Sequence, residues 1–263
     1  MLQQLFNRIM IMSVIFFCMS QVVFAQEGKQ EVDEETLKKA NDPMADVKAF
    51  NVQSYLVSKL YGLPDNSVTQ TLARYSQPLG KVLLRVTMPF IVSSEATKAP
   101  TTGFGDLSLF AIYSFPVSAG NKIGIGPNLT FPTGSHNLGA GKWQAGLSFL
   151  AFMASNKQIQ WGTLLQWQTS FAGDDDRPDV SLLTPQVFGI WQLGGGWNLR
   201  STGIWSFNLH TGDYSVPIGL GAGKVMKVGK LVFNLFAEPQ FTVFAEGVGQ
   251  PKYQTFVGFN TQF

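Results

Sequence analysis

From Phe50 to Phe263 the chain alternates apolar and polar residues in one short segment after another. The last segment, Pro251 to Phe263, shows the pattern most clearly. Tyr253, Thr255, Val257, Phe259, Thr261 and Phe263 fall on one side of an extended strand; Gln254, Phe256, Gly258, Asn260 and Gln262 fall on the other, because alternate residues of a strand point to opposite faces. One face is aromatic and β-branched, the other mostly small or amide. That is the pattern of a barrel wall with lipid outside and a polar lumen inside, although this strand alone also fits the last strand of a soluble sandwich.

Eleven further segments precede it. They run over 51–62, 68–76, 81–92, 103–115, 122–132, 142–154, 158–171, 179–192, 197–210, 214–227 and 230–244. The seventh sets Ile159, Trp161, Leu165, Trp167 and Phe171 against Gln160, Gly162, Gln166, Gln168 and Ser170. In the first, Tyr55, Val57 and Tyr61 share a face; the second, eighth and tenth have no clear phase, and Arg74 is free to face either way. Lys224 falls on the apolar face of the tenth, which calls for snorkelling to the interface or a register flip at a Gly-rich bulge. The connections alternate between tight, Gly-, Asn- and Pro-rich turns and mostly longer stretches. Short turns at one end and long loops at the other mark an outer-membrane barrel, and an even strand number returns both ends of the wall to the short-turn side. Trp143, Trp161 and Trp197 stand near strand ends, where interfacial aromatic girdles lie. The predicted fold is all-β: a transmembrane, antiparallel, up-and-down barrel of about 12 strands over residues 50–263, about 24 Å across.

The N-terminus supplies an address. Arg8, an apolar run from Ile9 to Ser20 and Val23-Phe24-Ala25 read as a secretory signal peptide over residues 1–25, too short for a membrane anchor of about 20 residues. Residues 26–49 read as a polar periplasmic tail, with Asp33 placed to cap a short helix that ends near Asn41-Asp42-Pro43. The single cysteine, Cys18, lies in the signal, so the exported part has no disulfide or thiolate chemistry. With 19 basic and 17 acidic residues the charge is nearly balanced, which gives no reason to expect a nucleic-acid partner.

Chemistry is sparse. Arg85, Asp106, Arg200 and Glu238 are predicted to point into the lumen as paired charges at a constriction, or as ion pairs bracing the wall; lumen charges tune selectivity, whereas a charge on the lipid face costs about 2–4 kcal/mol at the midplane. Asp174, Asp176 and Asp179 crowd one outer loop and are weak metal candidates, although their spacing completes no known loop motif. Ser135 beside His136 is the nearest approach to a nucleophile and base, and no Gly-x-Ser-x-Gly elbow accompanies it. No catalytic residue and no cofactor is predicted.

The segments TGFGDLSLF (Thr102 to Phe110), GIGPNLTFPTGS (Gly124 to Ser135), LGAGKW (Leu138 to Trp143), SFAGD (Ser170 to Asp174), LGGGW (Leu193 to Trp197) and VPIGLGAGKVMKVGKL (Val216 to Leu231) occur in order. Together they resemble the outer-membrane family labelled for the MetA pathway of phenol degradation. The resemblance covers about residues 40–263 and rests on order and spacing. It implies a barrel that moves small, hydrophobic or aromatic molecules, and it carries over no catalytic or binding residue. The expectation is a non-enzymatic, passive channel in the outer membrane of a Gram-negative cell. Its partners are membrane lipids, a small solute and the barrel-insertion machinery, which would read the strand ending at Phe263. The alternatives are a closed structural or surface-binding barrel and, more remotely, a lipid hydrolase.

Overall fold

A computed structural model describes residues 32–95, 98–118, 120–135 and 137–263. The expected signal peptide, the start of the tail and His136 lie outside the described residues. The alternating segments form fifteen strands: β1 (Ala49–Leu60), β2 (Ser67–Leu79), β3 (Val82–Ser94), β4 (Thr101–Phe104), β5 (Leu107–Ser118), β6 (Asn121–Phe131), β7 (Lys142–Met153), β8 (Ile159–Gly173), β9 (Ser181–Gly194), β10 (Trp197–Ser201), β11 (Ser206–Asn208), β12 (Tyr214–Gly219), β13 (Gly221–Val228), β14 (Leu231–Glu246) and β15 (Pro251–Gln262). Each pairs antiparallel with its neighbours, and β1 pairs β15 from Ala49 opposite Gln262 to Leu60 opposite Pro251. The sheet therefore closes on itself and leaves no free edge.

Twelve wall strands account for the fifteen segments, because three of them are interrupted. β4 and β5 form one wall strand broken at Gly105-Asp106, β10 and β11 one broken at 202–205, and β12 and β13 one broken at Leu220. In β12, Pro217 has no N–H for the ladder, and the register shifts between Val216 and Pro217. The predicted alternation of connections holds. At one end Gly80-Lys81, Gly195-Gly196 and Gly229-Lys230 suffice as turns, while the other end carries 61–66, 132–141 and 174–180. Gly195 and Gly196 have φ of 54° and 82°, the left-handed pair that a two-residue hairpin demands.

The two faces of the wall differ as period two requires. Ile125, Leu147, Trp161, Trp191 and Phe241 are about half exposed on the outside. Half exposed, each forgoes in water roughly half of the about 1.5–3 kcal/mol that full burial supplies, so a belt of them calls for an apolar surround. Trp143 stands at the long-loop end, and Trp161, Trp191 and Trp197 at the short-turn end. Lys224 lies outside, beside the last. Its ammonium is 4.9 Å from the Trp197 ring and donates to Gly195 O at 2.5 Å, so the side chain snorkels to the turn and β13 keeps its register.

The interior is not uniformly polar. Tyr55 and Val57 do share a face, and it is the inner one; with Leu60, Leu72, Phe236 and Phe256 they form an apolar cluster. A second cluster joins Leu83, Phe110, Ile112, Leu150, Phe152 and Phe188 at the short-turn end, and Met44 inserts into it. Met44 belongs to the segment before the wall. That segment opens with α1 (Glu34–Asn41), found where Asp33 predicts it. The Asp33 carboxylate accepts from both the N–H and the hydroxyl of Thr36 at 2.8 Å, and Glu34, Glu35, Lys38 and Lys39 sit at the ends that suit the helix dipole. None of the helix is buried. Ion pairs of Glu34 with Lys157 at 2.8 Å and Asp33 with Lys227 at 3.6 Å tie it to the barrel rim.

Candidate functional site in the barrel lumen

Chain geometry turns residues 42–48 into a stopper. Asp42, Met44 and Ala45 are buried. The Lys122 ammonium donates to the Asp42 carboxylate at 2.6 Å and to Met44 O at 2.9 Å, and Arg85 Nη2 donates to Pro43 O at 3.2 Å. Asn234 Nδ2 donates to Asn41 Oδ1 at 3.0 Å, and Gln262 Nε2 donates to Lys39 O at 2.9 Å. The expected tail is thus seated in the short-turn mouth of the barrel, and its small apolar patch, Pro43-Met44-Ala45, is what enters.

Above this stopper lies a chamber of about 140 Å³. Ala40, Asn41, Asp42, Pro43, Ala45 and Val47 floor it, and Arg74, Arg85 and Arg200 reach it from the wall. A second chamber of about 350 Å³ opens toward the long loops. Beside Arg85 and Asp106 its polar lining carries an amide network: Gln168 Nε2 donates to Gln144 Oε1 at 2.6 Å, and Gln166 Nε2 and Asn128 Nδ2 both donate to Ser148 Oγ behind it. Arg85 lines both chambers. It stands between them with its guanidinium carbon 4.9 Å from the Phe110 ring and its Nε donating to Ser76 Oγ.

The four predicted lumen charges all face inward, but they do not form two pairs. Arg200 and Glu238 are one pair, with Nε and Oε2 3.8 Å apart. Glu238 is fully buried and spends its oxygens elsewhere: Oε1 accepts from Thr202 N and Gln240 Nε2, each at 2.8 Å, and Oε2 accepts from Thr202 Oγ1 at 2.7 Å. Thr202 begins the gap between β10 and β11, so the carboxylate replaces a ladder partner that the broken strand has lost. Asp106 acts alike at the β4–β5 gap, accepting from Gly134 N at 2.8 Å and Ala140 N at 2.6 Å, which fastens the 132–141 loop. Arg85 has no carboxylate partner within ion-pair distance among the described residues. Glu238 braces a break in the wall and Asp106 fastens a loop beside one; among the described residues only Arg200 and Glu238 form an ion pair of the expected kind.

Arg74 completes the basic set. Its inward direction is fixed by pairing with Asn51, itself opposite Asn260, which places one row of polar residues on the inner face. Nη1 donates to Gln53 Oε1 at 2.6 Å.

The other predicted sites are dispersed. Asp179 forms an ion pair with Lys142 at 3.3 Å and accepts from Ser170 Oγ at 3.2 Å; those two partners hold its carboxyl below the usual range. Asp174 accepts from Asp176 N within its own turn. Among the described residues no three potential metal-ligating groups converge. Ser135 uses its N–H on Phe104 O in the loop, and its neighbour His136 lies outside the described residues.

No family model and no curated protein matches the chain. Solved structures do. The chain is similar to the COG4313 outer membrane channel from Pseudomonas putida F1, at 16% identity and a TM-score of 0.59, over 82% of this chain and 94% of that one. It is also similar to the NanC porin, at 8% identity and a TM-score of 0.52, over 81% of this chain and 98% of that one. At these identities the likeness is one of fold: this chain shares the closed antiparallel barrel architecture of those two proteins.

Proposed function

We propose that this protein is a passive outer-membrane channel for small solutes, apolar or aromatic ones among them. The observation that carries the reading is the inversion of the barrel. Its apolar side chains form a belt outside, and its charges and amides line two chambers inside that share Arg85. A soluble barrel has the opposite arrangement. The aromatic strand ending at Phe263 suits delivery by a barrel-insertion machinery, and both ends of the wall lie at the short-turn side, which then faces the periplasm. Residues 42–48 obstruct that side at rest, so passage requires them to yield.

A closed structural barrel is the second reading. The complete burial of Ile112, Leu150 and Phe152 beside Met44 favours it, since that cluster fills much of the short-turn end. Incorporating the purified chain into planar lipid bilayers separates the two. Discrete conductance steps support the channel; a folded barrel that stays silent supports the closed form.

A further inference from the structure

We infer that the chamber above residues 40–49 is a binding site for a small apolar carboxylate. The inference deepens the channel reading, on which it rests for its biological role, by naming a class of solute that pauses in the lumen.

Cationic charge outweighs anionic charge beside apolar side chains in this chamber. Arg74, Arg85 and Arg200 all line the chamber. The one carboxylate within ion-pair distance of any of them among the described residues is Glu238, 3.8 Å from Arg200, and its oxygens are already engaged by Thr202 and Gln240. Asp42 also lines the chamber, but Lys122 neutralises it at 2.6 Å. Arg200 is 92% buried by side chain, yet among the described residues its Nε and Nη1 have no hydrogen-bond partner, and the Nε of Arg74 has none either. Buried guanidinium nitrogens without an acceptor are costly. A carboxylate supplies both the charge and a planar pair of acceptors that matches the guanidinium fork.

The apolar part of the chamber wall selects the rest of the ligand. Leu83, Leu164, Phe188, Ile190 and Phe256 form it, with polar Gln186 and Thr202 among them. The apolar side chains offer nothing to a second charged end, so a ligand with one carboxylate and an apolar body suits them better than a phosphate, which presents oxygens on all sides. At about 140 Å³ the chamber has room for on the order of ten non-hydrogen atoms, taking about one per water-sized sphere. A benzoate-sized anion matches that size.

The test is calorimetric titration of the full chain in detergent micelles at neutral pH with three probes. These are benzoate, benzyl alcohol as a neutral molecule of the same shape, and inorganic phosphate as charge without an apolar body. The site predicts saturable benzoate binding at least about tenfold tighter than either other probe, and weakened by about tenfold or more in Arg74→Gln through loss of a charge-assisted contact. A Lys230→Gln variant in the β13–β14 turn keeps the wild-type affinity. Absence of saturable benzoate binding, equal binding of benzyl alcohol, equal or tighter binding of phosphate, or full affinity in a folded Arg74→Gln chain overturns the inference. Should that variant not fold, the contrast among the probes on the unaltered chain decides alone. Because the titration needs no ion flow, failure to bind benzoate removes the site and leaves the channel standing. Benzoate binding by a protein that never conducts does the reverse.

Discussion

Glu238 receives both the backbone N–H and the hydroxyl of Thr202, at 2.8 and 2.7 Å, where the wall strand that began as β10 loses its ladder. The acid is therefore part of the wall as well as a lumen charge. Removing it by Glu238→Ala leaves two buried donors of Thr202 unmet and takes from Arg200 the carboxylate 3.8 Å away, at about 1–3 kcal/mol for each orphaned group. Glu238→Gln retains an acceptor oxygen and costs less. Urea unfolding in detergent, followed by heat-modifiable gel mobility, should rank the alanine variant clearly below the glutamine variant; equal stabilities would show that the bracing contributes nothing.

Arg200 also sits over Phe236, its guanidinium carbon 3.6 Å from the ring centroid. The ring has space because residue 258 is glycine: a Cβ there would collide with the Phe236 ring itself. Gly258→Ala should therefore push the ring aside and lower stability by about 1–3 kcal/mol, the usual cost of overpacking. Adding Phe236→Leu should recover part of that loss. A single alanine variant as stable as the wild type would contradict the tight fit.

Met44 is the apolar anchor of the stopper. Met44→Ala removes its side chain from the cluster of Ile112, Leu150 and Phe152, which costs at least about 2 kcal/mol. At roughly 1.4 kcal/mol per tenfold, docking weakens by about 30-fold. Openings in a bilayer should become more frequent or larger, and unchanged conductance would argue against residues 42–48 as the obstruction.

Asp33 makes the helix before the stopper sensitive to acid. Thr36 N–H and hydroxyl bonds, with Lys227 beyond them, hold its carboxyl below the ordinary range. A depressed folded pKa means that the cap contributes fully above the unfolded value and is lost as pH falls through the lower folded one. Amide protection in α1 should therefore fall as the solution is acidified past that point. Asp33→Asn, which still accepts from Thr36 N, should keep protection flat across the same range.

Much of this was legible because period two is a strong signal. All twelve wall strands stand where the alternation placed them, and the outward set Ile159, Trp161, Leu165, Trp167 and Phe171 is exposed as read. Phase failed where both faces are apolar. In β9, Phe188 and Ile190 point inward while Val187 and Trp191 point outward, so alternation in polarity vanishes. In β1 the apolar pair Tyr55 and Val57 points inward, to stack on Phe256 and complete a cluster built from four strands. Arg74 was undecided for want of a phase in β2, and it proved to be one of three arginines over the stopper. Residues 42–48 carry no periodicity, and their only sign was Pro43-Met44-Ala45 standing apolar in a polar stretch. The pairing of Arg85 with an acid failed because contacts between distant wall strands leave no trace in local sequence.

Single-channel recording of the full chain in a planar bilayer tests the central claim most directly. The account predicts discrete conductance steps that are small for the wild type and larger or more frequent for Met44→Ala. A folded, heat-modifiable barrel that stays silent in both forms would contradict it.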